Sequence, residues 1–175
     1  MKSSIFSPST ILIYIFLLSI FISFPRCEDL IDQICKKTPF YELCEASLRP
    51  DSQNSSDVRG LASTVTSLIL SDATDTLGYI QGLIKQTKDP ELQRALADCA
   101  ELYIPVVKYN LPQAIAAFTK GQYGFATYVL SDVSKQADSC EKGFSSSIES
   151  PLSERNKLVS NLCAVAVAII KLLSV

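Results

Sequence analysis

The stretch from residue 58 to residue 88, VRGLASTVTSLILSDATDTLGYIQGLIKQTK, decides the fold of this chain. Its apolar residues recur every three or four positions, and this spacing places them on one face of an α-helix. The residues on that face are Ala62, Val65, Ile69, Ala73, Leu77, Ile80 and Ile84. Such a helix gains most of its stability when other helices cover its apolar face. The stretch therefore predicts a helical bundle.

Later segments carry the same helical spacing. Asp89-Pro90-Glu91 is a strong helix start, because an acidic cap precedes a proline at the first helical position. Pro105 is expected to kink or end that helix, and Pro112 is expected to begin another that Lys120-Gly121 closes. Further helices are predicted from residue 123 to residue 139 and from residue 153 onward. No segment has the period-two alternation of a strand, so the fold class is predicted to be all-α.

The last of these helices is apolar on more than one side. Leu158, Leu162 and Val165 lie on its main apolar stripe, while the opposite face carries Ala164 and Ala168. We expect this helix at the centre of the bundle.

Two cysteine pairs fit the predicted helices. Residues 28–47 read as two short helical pieces with a helix start at Thr38-Pro39, and a bend there brings Cys35 close to Cys44. A disulfide closing so short a loop stabilises by about 2.5–3 kcal/mol. Cys99 and Cys140 lie on the apolar faces of different helices, as an interhelical disulfide requires, and their longer loop is worth about 4 kcal/mol.

The remaining chemistry of the cysteines is limited. Cys163 has apolar neighbours, which raise the pKa of a thiol, so we expect a buried free cysteine rather than a nucleophile. The chain has no histidine and no Cys-x-x-Cys pair, and we therefore predict no metal and no cofactor.

The N-terminal 27 residues have the pattern of a secretory signal peptide. Lys2 precedes an uncharged apolar run at residues 11–24, which is shorter than the roughly 20 residues of a spanning helix. Residues 28–175 are then one secreted domain, with no membrane segment in the mature form. Cleavage before or after Cys27 decides whether the mature chain holds six or five cysteines. Asn54-Ser55-Ser56 is a sequon for N-glycosylation.

Composition excludes several classes of function. The net charge is -2 and the basic residues are not clustered, so no nucleic-acid partner is expected. Without histidine, neither a His-based triad nor a His-based pH switch is available. No spacing pairs an acid with a base, and we predict that the chain is not an enzyme. A non-enzymatic carrier of apolar ligands stays open as an alternative, since helical bundles can hold apolar cavities.

An ordered set of motifs resembles the plant invertase and pectin methylesterase inhibitor family. The set comprises Ile34-Cys35-Lys36-Lys37-Thr38, the eight-residue spacing from Cys35 to Cys44, Cys99, the run 139–144 and Cys163. The resemblance covers residues 30–173. It implies a four-helix up-and-down bundle with an N-terminal α-hairpin extension, the same two disulfides and a free fifth cysteine. It also implies a protein that binds and blocks a carbohydrate-active enzyme of the cell wall or vacuole.

The resemblance leaves two target enzymes. Invertase-type members carry a Pro-Lys-Phe element where this chain reads Tyr123-Gly124-Phe125, so only the phenylalanine matches. The run Gly121-Gln122-Tyr123 is closer to the Gly-Asp-Tyr element of pectin methylesterase inhibitors. This element favours a cell-wall pectin methylesterase as the partner, with acid invertase as the alternative. Secretion to the apoplast is expected, and the vacuole is the alternative compartment.

Contacts with the partner are expected on polar faces of the bundle and at the start of the segment from residue 123. The candidate residues are Thr64, Asp72, Asp75, Asp98, Glu101, Gln122, Tyr123, Phe125 and Asp132. A solvated acidic face explains the acids equally simply, and packing within the fold explains Tyr123 and Phe125. Since histidine is absent, any pH dependence of binding must come from carboxyl groups of this chain or from groups on the enzyme, and we expect binding to weaken toward neutral pH if shared protons join acidic surfaces.

Overall fold

A computed structural model of the chain describes residues 27–50, 57–144 and 148–174. Within these ranges all regular secondary structure is helical, with seven α-helices and one π-helical turn. These elements are α1 Cys27–Cys35, α2 Tyr41–Leu48, α3 Val58–Gln86, α4 Pro90–Pro105, the π-turn Val106–Asn110, α5 Leu111–Thr119, α6 Tyr123–Lys142 and α7 Ser153–Lys171. The signal peptide predicted up to residue 27 and the sequon at Asn54 lie outside the described residues, apart from the backbone of Cys27.

Four helical arms form an up-and-down bundle. The first arm is α3. The second arm is the continuous run of α4, the π-turn and α5. The third arm is α6, and the fourth is α7. Each arm packs against neighbouring arms, α3 against α4 and α7, and α6 against α4, α5 and α7. Short connections at residues 87–89 and 120–122 make consecutive arms antiparallel. The predicted all-α bundle is confirmed.

The core follows the apolar stripe of α3. Six of its seven predicted residues are buried, and Ile84 is half-buried at the end of the helix. Helix α7 is buried on two sides, as predicted, and packs mainly against α3 and α6; it is one of the four arms and not a central helix. Its predicted stripe is wrong in one place, because Leu158 is 37 % exposed and the neighbouring Val159 is buried instead. In a helix that is apolar almost all round, the neighbouring helices decide which residue faces inward.

The helix that begins at Pro90 does not end at Pro105. The chain continues through the π-turn, in which the Leu111 N–H donates to the carbonyl of Val106. A proline lacks an N–H and crowds the turn that precedes it. The π-turn precedes Pro112, and its wider path accommodates that second proline without breaking the helical course. Tyr103 and Val106 are both buried, so packing holds the chain in the bundle on each side of Pro105.

The N-terminal hairpin is closed by the predicted disulfide between Cys35 and Cys44. The predicted helix start at Thr38-Pro39 is wrong by two residues, because α2 begins at Tyr41. The Thr38 hydroxyl instead donates to the Cys35 carbonyl at 2.8 Å and so satisfies the end of α1. Both short helices pack on α3, and α2 also contacts α7.

The second predicted disulfide joins Cys99 of α4 to Cys140 of α6, with their Cα atoms 4.7 Å apart. Both cysteines are buried in the core. Cys163 of α7 is free and fully buried, and this burial raises the pKa of its thiol to about 12. A thiol with so high a pKa is a poor nucleophile.

A buried polar residue that the sequence pattern does not reveal lies beside this disulfide. Asn156 of α7 is only 1 % exposed. Its side-chain oxygen accepts a hydrogen bond from the Tyr103 hydroxyl at 2.8 Å. Its Nδ2 donates to Glu141 at 2.9 Å and lies 3.3 Å from the Cys140 sulfur. The amide thus has partners on α4 and α6, as burial of a polar group requires.

Glu141 extends this network to the connection between α6 and α7. Its carboxylate also accepts hydrogen bonds from the hydroxyls of Ser150 at 2.9 Å and Ser153 at 2.5 Å. Partial burial acts to raise the pKa of this carboxyl. The hydrogen bonds from Ser153, Asn156 and Ser150 outweigh burial, and the pKa lies below its usual value.

Replacing Glu141 with glutamine is expected to destabilise the protein by about 1–2 kcal/mol at neutral pH. Because the folded-state pKa is lowered, the ionised carboxylate stabilises the fold above the unfolded-state pKa. That contribution is lost as the pH falls through the folded-state pKa. Urea unfolding should therefore show that Glu141→Gln lowers the free energy of unfolding less at strongly acidic pH than at neutral pH. Glu149→Gln, an exposed carboxylate of the same connection, is the control; an equal cost for Glu141→Gln at both pH values would contradict this role.

Candidate functional site

The turn at residues 120–122 connects α5 to α6 at one end of the bundle. Gly121 has a φ of 74°, a conformation that favours glycine. Its N–H donates to the Phe118 carbonyl, and the Gln122 N–H donates to the Ala117 carbonyl at 2.9 Å. This pair of bonds is a Schellman motif, which ends α5 and reverses the chain. Gln122, one of the predicted contact residues, is exposed in this turn.

Tyr123, the first residue of α6, is fixed by contacts with two other helices. Its ring centroid lies 5.8 Å from that of Phe118 on α5. Its hydroxyl accepts a hydrogen bond from Arg59 of α3 at 2.6 Å, and the guanidinium carbon lies 5.8 Å from the centre of the ring. Tyr123 is half-buried and packs within the fold, and Arg59 ties the α5–α6 turn to the start of α3.

Phe125 has a different environment from Tyr123, because half of its side chain is exposed to solvent. Tyr128, one turn further along α6, is 71 % exposed. Asp132 follows one turn later and accepts a hydrogen bond from Asn110 of the π-turn at 3.3 Å. Next to Asn110, Tyr109 is 60 % exposed.

We call Tyr109, Phe125, Tyr128 and Asp132 the aromatic face. Exposed aromatic side chains are enriched at protein interfaces, where they supply much of the binding energy. The sequence prediction included Phe125 and Asp132 but missed Tyr109 and Tyr128. The sequence signal that could have identified these two tyrosines is that they lie outside the apolar stripe of their helices.

A second surface contains two of the predicted acids. Asp72 and Asp75 lie one turn apart on α3. Partial burial, followed by the charge of Asp75, raises the pKa of the Asp72 carboxyl, while Arg155 of α7 acts in the opposite direction. The Arg155 guanidinium carbon lies 4.4 Å from the ring centre of Tyr79. The structure therefore places Asp72 and Asp75 together near a cation of the neighbouring helix.

The other predicted residues are dispersed. Thr64 is half-buried on α3, two to three turns before the acid pair. Asp98 and Glu101 are exposed one turn apart on α4. The predicted acids thus lie on α3, α4 and α6, and Asp132 is the one that belongs to the aromatic face.

The sequence profile described as "Plant invertase/pectin methylesterase inhibitor" matches residues 29–169. The chain belongs to this family. Its members are inhibitors of enzymes and not catalysts, so this chain is an enzyme inhibitor. The predicted family and the predicted absence of an enzymatic role are both confirmed.

Similar proteins carry the names of both target classes. The inhibitor is 37 % identical over 142 residues to cell wall / vacuolar inhibitor of fructosidase 1 of Arabidopsis thaliana, covering 81 % of this chain and 67 % of that protein. It is 31 % identical over 164 residues to a Platanus orientalis protein named "Putative invertase inhibitor", covering 89 % and 96 %. A crystal structure of a mutant pectin methylesterase inhibitor from Arabidopsis superimposes with a TM-score of 0.70 and 26 % identity, covering 81 % of this chain and 95 % of that one.

The described part of the inhibitor contains no grouping of acidic or cysteine side chains suited to a metal ion. Within the same residues no helix combines the length and the apolar character needed to cross a membrane.

Proposed function

We propose that the inhibitor blocks an acid invertase by placing Phe125 in the entrance of the enzyme's substrate pocket. The observation that carries this proposal is the exposure of Phe125 in the first turn of α6, directly after a chain reversal that three residues hold in place. Gly121 fixes the reversal of the chain, and Arg59 and Phe118 hold the adjacent Tyr123. A preorganised aromatic side chain loses little entropy on docking and makes an effective anchor.

The relatives support the choice of invertase. Three sequence relatives that align over more than four fifths of this chain are named for inhibition of fructosidase or invertase. The Tyr123-Gly124-Phe125 element lacks the lysine of the Pro-Lys-Phe element. Arg59 and Lys120, both exposed beside the same turn, supply positive charge in its place. Glycosidase pockets carry paired carboxylates, so cations beside the α5–α6 turn are electrostatically complementary to these pockets.

Pectin methylesterase is the second candidate target. The Gly121-Gln122-Tyr123 run and the fold similarity to a pectin methylesterase inhibitor favour it. Contacts would then lie on the polar faces of α3, α4 and α6, where the predicted acids are exposed or half-buried. Asp72, whose pKa is raised by burial and by Asp75, is suited to share a proton with an acidic enzyme surface. We rank this target second because the longest alignments carry the other name.

The test is a paired inhibition assay with the oxidised, secreted protein at mildly acidic pH. Plant acid invertase and plant pectin methylesterase are each titrated with the inhibitor, and residual activity is measured. We expect saturable inhibition of the invertase and no effect on the pectin methylesterase. The reverse result would select the second target, and inhibition of neither enzyme by folded protein would refute both proposals. Secretion to the cell wall, or delivery to the vacuole, is part of the same proposal.

A further inference from the structure

A groove of about 610 Å³ opens between α6, α7 and the loop that joins α1 to α2. Small side chains on both long helices leave this space open, namely Ser131 and Ser134 on α6 and Ala164 and Ala168 on α7. Pro39 of the hairpin loop closes one side. The volume falls within the range of about 300–1,000 Å³ that is typical of small-molecule sites.

The floor of the groove is apolar and its rim is positively charged. The floor consists of Cys163, Ala164, Val167 and Ala168. Three exposed lysines line the rim, Lys37 from the hairpin loop, Lys135 from α6 and Lys171 from the end of α7. Within the described residues none of these three lysines forms an ion pair. The negative charge of Asp138 acts on the thiol of Cys163, but Asp138 is not among the residues that line the groove.

We propose that this groove binds a free long-chain carboxylate, that is, a fatty acid in its monomeric form. The carboxylate would lie among Lys37, Lys135 and Lys171, where a single negative charge meets three cations that form no ion pair with the described residues. The alkyl chain would cover the alanines and Val167 of α7, which are half-buried and apolar. Among the described residues no aromatic side chain lines the groove to stack on a sugar ring, so a sugar acid fits it less well.

This site is independent of the proposed enzyme inhibition. Its lining residues include none of the four residues of the aromatic face. The predicted alternative of an apolar-ligand carrier placed the ligand in a cavity between the helices. The groove instead offers a surface site with a charged rim.

The experiment is a fluorescence titration of the secreted protein with cis-parinaric acid below its micellar concentration. Palmitate, its neutral methyl ester and an oligogalacturonide serve as competitors. We expect saturable binding in the micromolar range, displacement by palmitate, and displacement at least about tenfold weaker by the ester, which lacks the charge. The oligogalacturonide should not displace the probe.

Two variants and one control make the assignment specific. Ala168→Trp fills the floor and should abolish binding. The double variant Lys135→Gln with Lys171→Gln should weaken binding about tenfold or more. Lys88→Gln with Lys142→Gln makes the same charge change at exposed sites elsewhere and should leave binding unaltered. Circular dichroism and thermal unfolding confirm that each variant is folded.

Several results would overturn the proposal. They are the absence of binding below millimolar probe, equal binding by wild type and folded Ala168→Trp, and tighter binding of the oligogalacturonide than of palmitate. Adsorption to lipid vesicles without binding of monomeric palmitate would also overturn it. If light scattering showed a dimer that Ala168→Trp dissociates, the groove would belong to a second copy of the chain instead.

Discussion

Replacing both Cys99 and Cys140 with alanine is expected to lower the free energy of unfolding by about 4 kcal/mol. The two cysteines are 41 positions apart and join α4 to α6, so the disulfide removes much freedom from the unfolded chain. Single domains are typically stable by only about 5–15 kcal/mol, so this loss should leave the variant close to unfolding at elevated temperature. Urea unfolding of the oxidised wild type and of the double variant measures the difference.

The matched control is removal of the other disulfide. Cys35 and Cys44 are 9 positions apart, and their replacement with alanine should cost about 2.5–3 kcal/mol. Chain entropy therefore predicts the larger loss for the interhelical pair, although the hairpin disulfide is also fully buried. If the hairpin variant were the less stable of the two, loop closure would not be the main source of the stabilisation. Cys163→Ala removes only a thiol from the core and should cost less than the interhelical double variant.

Local periodicity predicts those parts of the fold in which a helix has one clear apolar face. The stripe of α3 is of this kind, since polar residues separate its apolar positions and only one orientation buries them. Helix α7 gives no such contrast, and its inward residue, Val159 rather than Leu158, depends on the helices around it. The same dependence explains Pro105, where a local rule for ending a helix is overridden by the burial of Val106 and Leu111.

Polar contacts between distant residues carry no local signal. Arg59 and Tyr123 are 64 positions apart, and Tyr103 and Asn156 are 53 apart, yet each pair is joined by a hydrogen bond. The cysteines are the exception, because their place on two apolar faces limits how they can pair. The family resemblance indicated the Tyr123–Phe125 element, but only the packing shows that Tyr123 is held within the fold while Phe125 faces solvent.

Replacing Phe125 with alanine is expected to weaken inhibition of acid invertase by about 30-fold or more, which corresponds to about 2 kcal/mol of binding free energy. Half of the Phe125 side chain is exposed in the free inhibitor, so its loss removes contact area with the enzyme at little cost to the fold. The measurement is the inhibition constant of the purified variant, with thermal unfolding as the check on stability. Tyr79→Ala is the control, because Tyr79 is also partly exposed but lies beneath Arg155 at the second surface.

Arg59 provides a second test of the same site. Arg59 positions Tyr123 through a hydrogen bond and also contributes positive charge beside the turn. Because Phe125 is the proposed direct contact with the enzyme, Arg59→Ala should weaken inhibition less than Phe125→Ala. Arg59→Lys keeps the positive charge but loses the planar guanidinium, and the difference between the two variants separates charge from positioning. If Phe125→Ala inhibited as well as wild type while Asp72→Asn or Asp98→Asn lost inhibition, the acidic faces would be the binding surface. The start of α6 would then have only a structural role, and the invertase would be bound through the acidic faces instead.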